Sequence, residues 1–277
     1  MKSNPAGGDT IDFAEPAAVK ALNRALLLHH YEVALWDIPA GYLCPAIPGR
    51  AECLHHLADV LAGDNEDVVP RGRKVKVLEI GVGANCVFPI IGSAEYGWKF
   101  VGADIDPVSV KWVKELAMAN PRLKNNVESR LQKNPAHFFK GVVRPKERFA
   151  LTLCNPPFHE SKEAAQEGTL RKLKNLEGMR PAEATLNFGG SDTELWCDGG
   201  EAGFLNGMIR ESARLPEAAA WFSTMVSKRE NLPGIEKTLK KVKALESRTI
   251  EISLGQKRSR IVAWSFQSRE ERRAYWA

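Results

Sequence analysis

An asparagine followed by two prolines and a phenylalanine, Asn155–Phe158, is the strongest chemical signal in the sequence. The motif directly follows an apolar segment, so we expect it where a strand ends, at the edge where open α/β sheets bind ligands. Because proline has no backbone N–H, the turn offers mainly acceptors: its carbonyl oxygens and the side-chain oxygen of Asn155. A planar amino group such as adenine N6 could donate one hydrogen bond to Asn155 and one to the Pro156 carbonyl. Stacking of the base on Phe158 would contribute about 1–3 kcal/mol.

Methyl transfer to such an amine is the chemistry that would need this turn. The lone pair of an exocyclic amine is delocalised into its ring. Two acceptors placed tetrahedrally about the nitrogen favour a pyramidal amine whose lone pair points at a methyl sulfonium. Such a transfer depends mainly on in-line positioning, so an amide suffices and no strong base is required. Asn155, Pro156, Pro157 and Phe158 are therefore the predicted catalytic residues, and the alternative is a proline-rich turn that binds nothing.

A glycine turn upstream predicts where the methyl donor binds. Residues Glu79–Asn85 follow a strand and precede a helix, and Gly81 and Gly83 let the backbone turn sharply and approach a ligand. Asp104 ends the next strand about 20 residues further on, the spacing at which a carboxylate reaches ribose hydroxyls. Cys86 replaces the third glycine of the dinucleotide pattern, which disfavours a pyrophosphate and favours S-adenosylmethionine. The acidic residue before the glycines also suits a sulfonium and an amino group, although an ordinary strand-to-helix turn would carry the same glycines.

Strands that alternate with helices bring both motifs to one sheet edge. Their order predicts a parallel α/β sheet with right-handed crossovers and a final antiparallel pair. Residues 1–9 are expected to be disordered, and the polar, glycine-rich stretch 159–203 to be a functional or mobile loop. The helix 107–119 is expected to bury Val108, Trp112, Leu116 and Ala117 on one face. The predicted helices cover 16–36, 50–61 and 107–119, and the predicted strands cover 74–80, 99–104, 149–154, 218–226, 248–254 and 260–266.

The composition narrows the class of protein. The 277 residues are 44% hydrophobic and 26% charged, values that exclude fibrous, collagen-like and wholly disordered chains. No apolar run reaches the ~18 residues that a membrane span requires, and the N-terminus lacks an apolar signal core, so we expect a cytoplasmic protein. The net charge of +5 permits a nucleic-acid partner without requiring one. Five cysteines without a C-x-x-C pair, and histidines without metal spacing, predict neither a disulfide framework nor a metal site.

Together these motifs make the sequence similar to class I adenine-N6 methyltransferases. More closely, it resembles the RlmF family, which methylates one adenine of large-subunit ribosomal RNA, and its relative that modifies U6 small nuclear RNA. The similarity spans residues 12–266, and the segments GVGANCVFPIIG and NFGG…ELWCDGGE are more specific than the asparagine motif. It rests on residues 12–27, 36–59, 79–98, 153–161, 186–201, 224–233 and 254–266.

The resemblance implies a fold and a set of residue roles. The fold is a Rossmann-like class I methyltransferase domain over 73–277, with a mostly parallel seven-stranded sheet and helices on both faces. An N-terminal helical extension and linker over 1–72 precedes it. Arg50 would reach from this extension to the cofactor carboxylate, Asp104 would hold the ribose, and Asn134 would lie near the cofactor adenine. The implied cofactor-binding residues are Arg50, Glu79, Gly81, Gly83, Asn85, Asp104, Asn134 and Asn155.

The implied function is N6-methylation of one adenine of 23S rRNA, adenine 1618 in the family. The implied enzyme is monomeric, uses S-adenosylmethionine and no metal, binds no membrane, and acts on 23S rRNA or a large-subunit assembly intermediate. The target base would have to leave its stack. Two alternatives stay open. One is methylation of a protein glutamine, although such enzymes usually have tyrosine in the place of Phe158; the other is a non-catalytic RNA-binding module, against which the complete set of motifs argues.

Contacts with RNA are predicted outside the cofactor motifs. Trp196 is the best candidate for a base contact, and the basic segments Arg171–Lys174, Lys257–Arg260 and Arg269–Arg273 could track phosphates. Family members usually carry a basic arm, rich in histidine and arginine, before the segment that starts at Asp12. Only eleven residues precede Asp12 here, so either this is a trimmed version or the arm is absent, and RNA affinity is the property that depends on which of the two holds.

Overall fold

The structure is a computed structural model that describes residues 2–3, 9–13, 15–161, 163–164, 190–254 and 257–276. The helices are α1 (Pro16–Tyr31), α2 (Ile47–Ala62), α3 (Val87–Tyr96), α4 (Pro107–Ala119), α5 (Asp192–Leu195), α6 (Gly200–Ser212), α7 (Leu232–Lys241) and α8 (Arg269–Arg273), with a 3₁₀ turn at Arg229–Asn231. The strands are β1 (Lys2–Ser3), β2 (Asp9–Thr10), β3 (Lys76–Ile80), β4 (Lys99–Asp104), β5 (Val127–Leu131), β6 (Phe149–Cys154), β7 (Ala219–Val226), β8 (Glu246–Leu254) and β9 (Lys257–Ser265).

Seven strands form one sheet in the order β5-β4-β3-β6-β7-β9-β8. Neighbours from β5 to β7 are parallel, and β9 is antiparallel to both β7 and β8. The predicted α/β class and its antiparallel end are therefore confirmed. Because β3, β4 and β6 are adjacent and parallel, their carboxyl ends, which carry the glycine turn, Asp104 and Asn155, meet at one edge.

Several boundaries agree with the sequence and several do not. The bounds of β4, α4 and β6 are those predicted. Helix α1 ends at Tyr31 instead of continuing to residue 36, because Glu32 adopts a left-handed conformation with φ 57°. Strand β5 was not predicted, since all five of its residues are partly or fully exposed and carry little apolar signal. The prediction of disorder over 1–9 is wrong for Lys2–Ser3 and Asp9, which belong to a short antiparallel pair.

The buried face of α4 also differs from the prediction. Val108 is 47% exposed, and Trp112 is only partly buried against the core. The buried positions include Ser109, Val113 and Leu116, so the buried stripe starts one residue later than predicted. Small Ser109 fits there because its hydroxyl donates to the helix-capping carboxylate of Asp106.

Hydrophobic side chains cover both faces of the sheet. On one face, Leu57 of α2 and Phe88 of α3 belong to the same cluster as Val77 of β3. On the other face, Leu205 of α6 packs in a cluster with Phe222 of β7. The N-terminal helices thus share a core with the sheet, while the predicted division at residue 72 stays a prediction. Among the described helices, none combines the length and hydropathy that a bilayer crossing requires.

A buried ionic network fastens the C-terminal helix α8 to the sheet. Asp64, which is 2% exposed, accepts hydrogen bonds from Trp221 Nε1 at 2.7 Å and from Arg272 Nε at 2.7 Å. Arg272 is 1% exposed, and its guanidinium lies 4.4 Å from the centre of the Trp221 ring. The prediction of a phosphate-binding surface is therefore wrong for Arg272, and also for Arg260, which is buried. The predicted segment 171–174 lies outside the described residues.

Candidate active site

The glycine turn between β3 and α3 needs glycine at two positions. Gly81 has φ +73° and Gly83 has φ +60°, both in the left-handed region that glycine adopts without strain. A Cβ on Gly83 would lie 3.0 Å from Asn85 Nδ2 and 3.2 Å from Glu194 Oε1. A Cβ on Gly81 would meet no heavy atom within 4 Å. The backbone of Gly81 therefore faces open space that a ligand can approach closely.

Asp104 holds this turn from the end of β4. Its carboxylate accepts hydrogen bonds from the backbone N–H of Gly83 at 2.8 Å and of Asp106 at 2.9 Å. The pKa of Asp104 is raised to about 6, mainly by burial and also by the negative charges of Glu194 and Asp106, against the lowering effect of the two N–H bonds. A carboxylate has about four acceptor sites, so Asp104 keeps acceptor capacity for a ligand hydroxyl.

Glu79 and Arg50 form the charged floor of the site. Glu79 lies inside β3, is 3% exposed, and its Oε2 has no hydrogen-bond partner among the described residues. Burial raises its pKa well above the usual range, although the positive charge of Arg50 opposes the rise. No described carboxylate lies within ion-pair distance of Arg50, whose guanidinium instead lies 5.7 Å from the centre of the Phe88 ring. An unpartnered carboxylate oxygen and an unpaired guanidinium suit a ligand that carries both an amino and a carboxyl group.

One cavity of about 640 Å³ connects the two sequence motifs. This volume is within the ~300–1,000 Å³ usual for small-molecule sites. Its lining includes the predicted site residues Arg50, Glu79, Gly81, Gly83, Asn85, Asp104, Asn155 and Pro157. Residues that are far apart in sequence therefore share one chamber at the carboxyl edge of the sheet.

The turn after β6 presents its asparagine to this cavity. Asn155 is half-buried, and no described residue forms a hydrogen bond with its side chain. Pro156 and Pro157 are buried, so they fix the turn against the core. Phe158 is half-buried and is not among the residues that line the cavity, and its ring packs edge-on against His159 with centroids 5.8 Å apart. An accessible amide on a rigid turn can bind a planar donor group.

Asn134 lies beside the cavity and not on its wall. Its side-chain oxygen accepts the N–H of Ala136 at 3.0 Å, and its own N–H donates to Gln132 Oε1 at 3.1 Å. Gln132, Pro135 and Ala136 line the cavity. Asn134 thus shapes the local turn, and its contact with a cofactor stays a prediction.

The structure adds residues to which sequence analysis gave no cofactor role. Leu43, His137, Phe138 and Glu194 line the same cavity, together with Trp196. Glu194 and Trp196 belong to the ELWCDGGE segment. The sequence shows that this segment is similar to the family, but it does not indicate a role for Glu194. In the part of the chain that the structure describes, no group of three or more histidine, cysteine or acidic side chains is arranged to hold a metal ion.

Comparisons with known proteins agree on one class. A family model described as RNA methyltransferase matches residues 1–268. The chain is 52% identical over 278 residues to "Ribosomal RNA large subunit methyltransferase F" of Marinomonas sp. (strain MWYL1), covering 100% of this chain and 85% of that protein. It is 55% identical over 264 residues to the protein of the same name from Aeromonas salmonicida (strain A449), covering 95% of this chain and 82% of that protein.

Solved structures share the fold at lower identity. The hMettl16 catalytic domain in complex with MAT2A 3'UTR hairpin 1 superposes with a TM-score of 0.77 at 23% identity, covering 96% of this chain and 86% of that chain. The N-terminal domain of human METTL16 in complex with SAH superposes with a TM-score of 0.72 at 23% identity, covering 96% and 88%. These matches establish the class I methyltransferase fold.

Proposed function

Because the chain belongs to the RNA methyltransferase family and is therefore a transferase, we propose that it methylates N6 of one adenine of 23S rRNA, with S-adenosylmethionine as methyl donor. The resemblance to the RlmF family drawn from the sequence is confirmed. Adenine 1618 is the proposed nucleotide, and the cytoplasm is the proposed compartment. A single adenine in one rRNA is a substrate that a rigid, preformed pocket can select.

The observation that carries this proposal is the placement of Asn155. Its side-chain amide is without a described hydrogen-bond partner and lines the same cavity as the glycine turn. Two motifs that were expected to bind the target base and the methyl donor thus open into one chamber. Methyl transfer requires the two reactants to be held in line at close range, and a shared chamber meets that requirement.

The residues on the cavity wall fit S-adenosylmethionine. Arg50 would hold its carboxylate, the unpartnered Oε2 of Glu79 its amino group, and Asp104 its ribose, while the open face of Gly81 leaves room for close approach. When bound, the cofactor supplies an electrophilic methyl group on a sulfonium. In our proposal Asn134 acts only through the turn that contacts the cofactor adenine.

The target amine is positioned by acceptors alone. Asn155 Oδ1 and the Pro156 carbonyl would each accept one N6 hydrogen, which leaves the nitrogen lone pair free to form the new N–C bond as the C–S bond breaks. The nitrogen releases one proton to solvent water, and this proton becomes acidic only as the new bond forms, so a neutral amide is sufficient. Phe158 would stack on the base, and its half-buried ring already lies beside the turn.

Transfer of tritiated methyl groups tests the proposal. Protein and tritiated cofactor are incubated with a 23S rRNA transcript, with a transcript in which adenine 1618 is replaced by guanine, with a large-subunit assembly intermediate, and with bulk protein. We expect label in the first transcript or in the intermediate and none in the guanine transcript. Asn155→Ala should abolish transfer while calorimetry shows cofactor affinity within about threefold of the original. Label in protein, or normal turnover by Asn155→Ala, would overturn the assignment.

A further inference from the structure

A short segment crosses over the cavity from the N-terminal extension to the asparagine turn. We call residues 190–197 the strap. At one end the N–H of Gly190 donates to the carbonyl of Gly41 at 2.9 Å. At the other end His159 pairs with the strap in both directions: its N–H donates to Leu195 and its carbonyl accepts from Cys197, each at 3.1 Å. The strap therefore joins the two sides of the chamber.

Glu194 is one of three strap residues that line the cavity, together with Trp196 and Cys197. Its Oε2 accepts the N–H of Leu43 at 3.1 Å, and the N–H and hydroxyl of Ser191 at 2.8 Å and 3.0 Å. Its Oε1 accepts no hydrogen bond from the described residues and lies 3.2 Å from the position of a Cβ on Gly83. One oxygen thus fixes the side chain, and the other faces the glycine turn.

The cavity that Glu194 enters has an excess of acidic groups. Its described lining contains four acidic side chains, Glu79, Asp104, Glu194 and Asp198, and a single guanidinium, that of Arg50. Burial raises the pKa of Glu194, and nearby Asp106 raises it further, despite the donors from Ser191 and Leu43.

An independent observation points to a positively charged ligand. The Oε2 of Glu79 is buried in this same cavity wall, and no residue in the described part of the chain forms a hydrogen bond with it. A buried carboxylate oxygen of this kind is costly unless a donor or a positive charge meets it. A ligand with positive charge would therefore relieve the repulsion among all of these carboxylates.

We propose that Glu194 is a cofactor-recognition residue whose charge makes the cavity prefer S-adenosylmethionine, with its sulfonium, to the product S-adenosylhomocysteine, which has a neutral sulfur. This inference rests on the proposed function. The two ligands carry the same amino, carboxyl, ribose and adenine groups, so a contact with any of those groups serves both equally. They differ in the transferred methyl group and in the sulfonium charge, and a carboxylate distinguishes them through the charge. As a consequence, the cavity binds the product more weakly because the product has lost the sulfonium charge.

Isothermal titration of both ligands against matched variants tests this inference. Glu194→Gln keeps an oxygen for the Leu43 and Ser191 donors but removes the charge. Glu194→Asp keeps the charge. Ser191→Ala removes one donor to Glu194 without changing the charge. Thermal melting in the absence of ligand checks that each variant is folded.

We expect Glu194→Gln to weaken S-adenosylmethionine binding about five- to tenfold, the size of one charge interaction across a partly hydrated cavity, and S-adenosylhomocysteine binding less than twofold. Glu194→Asp should retain the preference for the sulfonium, and Ser191→Ala should change both affinities by the same factor. Equal losses for both ligands in Glu194→Gln, or no loss for either, would overturn the charge assignment. If the unmodified protein bound neither ligand, the proposed function itself would fail.

Discussion

Cofactor affinity should depend on pH through Asp104. This carboxyl group has a pKa of about 6, raised first by burial and then by neighbouring negative charges. Ribose hydroxyls donate hydrogen bonds, so they bind the ionised form. At a pKa near 6 the ionised fraction falls from about nine-tenths at pH 7 to about one-tenth at pH 5. We therefore expect the affinity for S-adenosylhomocysteine to fall roughly tenfold over this interval.

Titration calorimetry at pH 5, 6 and 7 measures this dependence, and Asp104→Asn is its control. The α-amino group of the ligand titrates near pH 8, so it contributes little in this range. The variant should bind about tenfold more weakly at pH 7 and should lose the step near pH 6. If Asp104→Asn kept the same pH profile as the original protein, another group would be responsible and our assignment of the ribose contact would be refuted.

The same carboxyl group should affect the stability of the free protein with a definite sign. Its pKa in the folded state lies above the usual 3.8, so the folded state holds the proton more tightly than the unfolded chain does. The resulting stabilisation is fully present below pH 3.8 and is lost as the pH rises through about 6. A shift of this size corresponds to about 3 kcal/mol. Urea unfolding without ligand should show this group's contribution decreasing over that interval, and bound cofactor should offset it.

Two further predictions concern buried acidic groups. Glu79→Gln removes an unpartnered buried carboxyl group, so urea unfolding should show the free protein to be about 1 kcal/mol more stable. Calorimetry should show at least tenfold weaker cofactor binding by this variant. A less stable variant with normal affinity would contradict the placement of Glu79 as a ligand group. Asp64→Ala leaves the guanidinium of Arg272 and the N–H of Trp221 without their buried acceptor, so unfolding should show a loss of about 3–5 kcal/mol, and a loss below 1 kcal/mol would mean that the network does not stabilise the fold.

The sequence predicted those parts of the site that depend on local backbone geometry. The turn at Gly81 and Gly83 and the proline turn after β6 are recognisable because glycine and proline restrict or free the chain in characteristic ways. Helix α4 was predicted with correct bounds because Asp106 caps it, accepting hydrogen bonds from the N–H groups of Val108 and Ser109. Local chemistry of this kind is visible in a short stretch of sequence.

What the sequence did not predict depends on distant contacts. Glu194 enters the cavity because the N–H of Leu43, 151 residues away in the sequence, donates to it. Strand β5 lies at the sheet edge and carries too few buried side chains to reveal its period. Helix α6 begins inside the stretch 159–203 that was predicted to be a loop. The prediction missed the start of the helix because its glycines obscure the buried row of Leu205, Met208 and Ile209. Pairings of this kind arise only when the sheet has assembled.

The buried ionic network that holds α8 against the sheet limits where this chain can be truncated. The matched family region ends at residue 268, whereas Arg272, four positions further on, fills the interior beside Trp221 and Asp64. A protein truncated at that homology boundary would retain every proposed cofactor residue, but it would expose the indole of Trp221 and leave Asp64 without its buried cationic partner. The last turn of helix is therefore part of the folding unit, and expression trials that trim it should yield insoluble material instead of a minimal active enzyme.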